Sequence, residues 1–71
     1  MGYVIKHREW GWLAILEYPA LWIRDYGQLI IPPGAMIFKS QRLAKLALKQ
    51  HWDKNMVDQF RIIRKGEKKG E

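Results

Sequence analysis

Pro32-Pro33-Gly34 divides this sequence into two parts that read with different periods. Neither proline has a backbone N–H to give to a ladder, so a strand arriving here must stop or lie at a sheet edge. Before the break, apolar residues come in short β-branched and aromatic runs. After it comes one stretch made mostly of helix formers. Such a chain lays down strands first and a helix second, and the segment after the helix returns to the sheet.

The individual segments can be placed on this basis. Residues 3–6, YVIK, alternate as a first strand. HREWG then bends and closes on Gly11, where a positive φ costs little. Residues 12–17, WLAILE, are too continuously apolar for simple alternation and suit a central strand covered on both faces, ended by Pro19. Residues 21–25 and 28–31 flank Tyr26-Gly27, a two-residue hairpin signal. Ser40 is placed as the N-cap of a helix running to about Trp52, without a capping box because Leu43 stands where Glu or Gln would close it. Asp53, Lys54 and Asn55 make a polar break. FRIIR, 60–64, alternates as a last strand with Phe60, Ile62 and Arg64 on one face and Arg61 and Ile63 on the other. The expected fold is α+β, a mainly antiparallel sheet of about four to five strands covered by one amphipathic helix, in the order β-β-β-β-α-β. The crossover through the helix also allows one parallel neighbour. Residues 1–64 are expected to form a single domain and 65–71, KGEKKGE, a disordered charged tail.

Little chain is available to stabilise this sheet. A domain of 71 residues buries only about 60% of the surface its unfolded chain exposes. Without cysteine it has neither disulfide nor thiolate metal site. Density must come from four Trp, three Tyr and two Phe, each of which buries on the order of 150–250 Å². The sequence opens without a secretory pattern, and its apolar run at 10–23 is broken by Glu17 and Pro19 and falls short of the roughly 18–20 residues of a membrane span. A soluble, cytoplasmic protein without a membrane partner is expected.

Residues 39–52, KSQRLAKLALKQHW, hold four cations and no carboxylate, and no acid occurs anywhere from 26 to 52. At helical spacing Leu43, Ala44, Leu46, Ala47 and Leu48 form an apolar arc, while Arg42, Lys45 and Lys49 project from the opposite side with Lys39 at its margin. Lys45 and Lys49 repel each other at i,i+4, and Lys39 and Arg42 sit at the positive end of the helix dipole. One Glu would relieve each penalty. The ordinary reading is a solvated face; the functional one is an electropositive surface for phosphates or a carboxylate-rich partner, which the net charge of +6 also favours. Trp52 lies toward the same side, either stacking on a partner or folding back into the core. Lys39, Arg42, Lys45, Lys49 and Trp52 are the candidate binding residues.

Chemistry has few candidates. His7-x-Glu9 and the pair His51 and Asp53 invite a metal or acid–base reading, but a zinc deaminase needs a downstream P-C-x-x-C, and this chain has no Cys. Ser40 is the only serine, no threonine is present, and no glycine-rich loop opens a helix. His51 falls on the apolar arc, which suits a partly buried, hydrogen-bonded histidine. Trp10, Trp12 and Trp22 could stack on RNA bases, yet the order of elements is not that of an RRM, and core packing is the competing explanation. No catalysis, cofactor or metal is expected.

YVIK, the pair Trp22 and Asp25, the run Ala35-x-x-Phe38-x-Ser40-x-x-x-Ala44-x-x-Ala47 and FRIIR together resemble a group of short bacteriophage and prophage proteins, across most of residues 3–64. The resemblance implies an opening strand, a Trp-bearing hairpin, a helix entry and a closing strand. It also implies a role in binding and disabling or redirecting host machinery, as some anti-CRISPR proteins do, in the host cytoplasm. The LIIPPG insertion at 29–34 and the basic helix depart from that group. The expected partner is an acidic host protein or nucleoprotein complex. Sequence-independent nucleic-acid binding is the alternative, and a homodimer paired through the edge at 29–31 is a third reading.

Overall fold

A computed structural model describes residues 2–17, 19–27 and 31–65. Four strands, β1 (Gly2–His7), β2 (Gly11–Ile15), β3 (Leu21–Ile23) and β4 (Phe60–Lys65), form one sheet in the order β3-β2-β1-β4. The helix α1 (Gln41–His51) and a 3₁₀ helix (Lys54–Gln59) connect β3 to β4. The fold is α+β.

Among the described residues every strand pair is antiparallel, and none is the parallel neighbour allowed by the sequence. The reason is where the chain re-enters. The 3₁₀ helix delivers Phe60 opposite His7, and β4 then runs down β1 until Lys65 meets Gly2. That 3₁₀ helix occupies what the sequence marked only as a polar break. Of the fourth strand expected before α1, Ile31 lies outside every strand, and residues 28–30 lie outside the described residues, as do 66–71 of the expected tail. The 29–31 edge proposed for a homodimer falls largely on the same undescribed positions. Lys65, placed in the tail by sequence, ends β4.

β1 is the buried centre. Val4 and Ile5 are both inaccessible and, being consecutive on a strand, face opposite sides. Ile5 joins Leu13, Phe38, Phe60 and the α1 residues Ala44, Ala47 and Leu48. Val4 joins Trp12 and Ala35, with Ile23, Ile31 and Ile63 alongside. The two-faced burial expected along 12–17 holds for Trp12 and Leu13 and ends before Ile15, which is exposed.

β1 and β2 pair only at Lys6 with Trp12 and His7 with Gly11 before they diverge. The gap is filled from the other side of the proline break. Tyr3 and Phe38 exchange two backbone hydrogen bonds, 2.8 and 2.7 Å, and the Met36 N–H donates to the Leu13 carbonyl at 2.8 Å. The break itself is a turn, closed by the Ala35 N–H on the Pro32 carbonyl at 3.1 Å.

Gly11 carries the bend between β1 and β2 with φ +99°, and a Cβ there would run into the Ile23 carbonyl oxygen of the neighbouring strand. Gly27 also has positive φ, +82°, but nothing lies within 4 Å of where its Cβ would be. Gly27→Ala therefore carries only backbone strain, about 1–2 kcal/mol, whereas Gly11→Ala adds a backbone collision and should cost more than about 3 kcal/mol. Urea denaturation of the two variants checks this; equal costs would show that the Ile23 carbonyl does not press on Gly11.

Candidate binding face

The helix begins where the sequence places it. Ser40 is extended, and its Oγ accepts the Leu43 N–H at 3.2 Å. At the other end the Trp52 N–H closes on the Leu48 carbonyl at 3.0 Å. The rotation of α1 about its axis differs from the expectation. Its buried residues are Ala44, Ala47 and Leu48, while Leu43 and Leu46 are 45% and 48% exposed and His51 is exposed as well. Two alanines at the contact let α1 approach β1 and β4 closely, and this turns the larger leucines outward. Leu46 lies about 160° around the helix from Ala44 at 100° per residue, among the cations rather than opposite them.

Arg42, Lys45 and Lys49 are exposed and line one shallow outer groove with Gln41 and Leu46. Lys45 and Lys49 also rim a second groove, of about 300 Å³, between α1 and β4, whose apolar lining is Leu48, Val57, Phe60 and Ile62. The structure thus brings three of the five candidate residues together. Lys39, exposed just before the N-cap, lines neither groove. Trp52 is half-buried and packs its ring on Phe60 and Trp22 at centroid distances of 4.9 and 5.7 Å, in line with the alternative that folds it inward. Sequence reasoning missed Leu46 as part of the basic face, although four residues after Arg42 and three before Lys49 is the spacing that shares a side. It also missed the apolar floor from Val57, Phe60 and Ile62, which only the tertiary placement of the 3₁₀ helix and β4 provides.

The cations keep their field to themselves. Lys6 Nζ pairs with Asp25 Oδ2 at 2.9 Å, away from α1, where the Lys6 ammonium also lies 5.9 Å from the Trp12 ring. Asp25 additionally accepts the Gly27 N–H through Oδ1 at 2.9 Å. The Lys6 hydrogen bond first, and the Gly27 N–H second, hold the Asp25 carboxyl below its ordinary value of 3.8, against a smaller opposing effect of desolvation.

The histidine singled out with Glu9 is a structural centre. His7 is buried; its Nδ1 accepts the Glu9 and Trp10 N–H groups at 3.0 and 3.1 Å, and its Nε2 lies 2.9 Å from Gln59 Oε1. Because both backbone groups are donors, Nδ1 is the unprotonated nitrogen and Nε2–H donates to Gln59. Both ring nitrogens are thereby committed to tying the β1–β2 bend to the end of the 3₁₀ helix. No group of three or more His, Cys, Asp or Glu gathers as a metal site among the described residues, and no helix there is long and apolar enough to cross a membrane. Comparisons of the chain with protein-family models, with curated proteins and with solved structures find no significant match.

The helix rotation and the Asp25 pair can each be checked. Leu46→Gln should leave stability within about 0.5 kcal/mol, whereas Leu48→Ala should lose about 2–5 kcal/mol; chemical denaturation that ranked them the other way would contradict an outward-facing Leu46. Since the Asp25 pKa is lowered on folding, its contribution to stability is present above pH 3.8 and is lost as pH falls through the folded value. Asp25→Asn should therefore flatten that part of the acid limb of a stability-versus-pH profile, and an unchanged limb would show the Lys6 pair to be inert.

Proposed function

We propose that this chain is a non-enzymatic binding protein that docks an acidic host protein or nucleoprotein complex on the outer face of α1 and so occludes or redirects it. The observation that carries this reading is the clustering of Arg42, Lys45 and Lys49 around an exposed Leu46, with no carboxylate paired to them among the described residues. Uncompensated like charges on one helix face cost a few tenths of a kcal/mol per pair, and a docked anionic surface removes that cost while the +6 net charge speeds encounter. Leu46 favours a protein partner: a phosphate backbone offers an apolar side chain little, whereas a protein surface can bury it inside a ring of charge contacts. The groove beside Lys45 and Lys49, floored by Leu48, Phe60 and Ile62, offers a second apolar seat on the same side. The likeness to short phage proteins supports the same reading and, with it, an encounter in a host cytoplasm.

The row of three cations also supports a second reading, direct and sequence-independent binding to phosphates. That reading has its own signature, a log affinity against log salt slope of about −3 on duplex DNA for three contacts.

The full chain, immobilised and exposed to host lysate with and without nuclease, separates the two. Partner capture should survive nuclease and should fall by at least tenfold in Lys45→Glu/Lys49→Glu, whose thermal midpoint stays near that of the parent because both side chains are solvent-facing. Undiminished capture by the double variant would show that α1 is the wrong surface, and loss of capture on nuclease treatment would transfer the assignment to nucleic acid.

A further inference from the structure

The three tryptophans other than Trp12 meet at the end of the molecule where β1 bends into β2 and α1 terminates. Trp10, Trp22 and Trp52 line an open pocket of about 470 Å³ together with Glu17 and His51, a size in the range of small-ligand sites. The indoles do not lie flat on one another. Trp10 and Trp22 meet at 58° with centroids 5.3 Å apart, and Trp22 and Trp52 at 55° and 5.7 Å, so the three form inclined walls. One face of Trp10 is covered by the His7 ring, stacked at 3.8 Å and 12°, yet Trp10 remains 40% exposed.

The electrostatics of this pocket are opposite to those of α1. An indole face carries the negative lobe of the ring quadrupole. Among the described residues, the exposed Glu17 is the one carboxylate lining the pocket, and no Lys or Arg lines it. In a chain of net charge +6 this is a local reversal. Aromatic walls with a single carboxylate favour a cation. They offer few hydrogen-bond acceptors, which suits an ammonium whose charge is spread over methyl groups better than a bare, strongly hydrated one.

We propose that Trp10, Trp22, Trp52 and Glu17 form a binding site for a methylated ammonium group. The site is separate from the α1 cations and stands or falls apart from the function proposed for them.

Choline titrated into the full chain, followed by the NMR shifts of the indole N–H groups, tests this against 3,3-dimethylbutan-1-ol, which has the same shape and no charge. Choline should saturate the signals of Trp10, Trp22 and Trp52 and leave Trp12, buried on the other side of the sheet, unmoved; the alcohol should bind at least about fivefold more weakly. Glu17→Gln should weaken choline about two- to fivefold. Trp10→Ala should weaken it further, and Trp10→Phe, which keeps an aromatic face over His7, should recover most of the loss. A trimethyl-lysine peptide titrated in parallel assigns the source: tighter binding than choline places the group on a modified side chain, weaker binding on a free small molecule, and either order with the alcohol weakest supports the site. Equal binding of the alcohol, no saturable shift, or choline affinity unchanged in both Glu17→Gln and Trp10→Ala overturns it.

Discussion

The buried backbone of β1 needs hydrogen-bond partners along both of its sides, and β2 supplies them only near Lys6 and His7. On the side left open, the shortfall is met by Phe38, which bonds to Tyr3 in both directions while Met36 holds Leu13. That one requirement sets the placement of the helix. With Phe38 pinned between the diverging strands, Ser40 comes two residues later, in position to cap α1. Once the start of the helix is set, 3.6 residues per turn decide which side chains meet the sheet. Ala44, Ala47 and Leu48 turn inward, and the cations turn out as a consequence.

How far the sequence reveals this depends on the kind of signal. Local backbone chemistry was readable: Gly11 at a bend demanding positive φ, Ser40 as a cap and the alternation of FRIIR all concern a residue and its immediate neighbours. The A-x-x-F-x-S-x-x-x-A-x-x-A run was readable as a pattern, and the fold gives it specific physical content. Ala35 packs beneath one face of the sheet, Phe38 bridges and packs on the other, and Ala44 and Ala47 allow close approach. The helix rotation was not readable, because hydrophobicity weighs two leucines above two alanines while close packing selects the smaller side chains. Nor was the 3₁₀ helix, whose residues lack a strong propensity and are held by contacts distant in sequence, the Arg8 N–H on the Gln59 carbonyl at 3.1 Å among them.

The basic face and the aromatic pocket are built by different parts of the same helix. Lys45 and Lys49 occupy its body, and Trp52 closes its C-terminal end against Trp22 and Phe60. His7 links the ends of the second arrangement. Its ring stacks on Trp10, meets Phe60 edge-on at 4.9 Å and spends both nitrogens on neighbouring chain. A single neutral imidazole thus places a polar group within the aromatic layer without leaving any of its hydrogen-bonding capacity unmet.

β4 forms the outer boundary of the sheet on the side away from β2, where a second copy of the chain could approach. Two β4 strands meeting head to tail about Arg61 would set that exposed arginine against its own copy. Like charges directly opposite across a ladder disfavour pairing, and such gatekeeping is a common defence of unprotected margins. The exposed Arg61 therefore sets a like-charge penalty against that register of self-pairing along the strand that closes the fold.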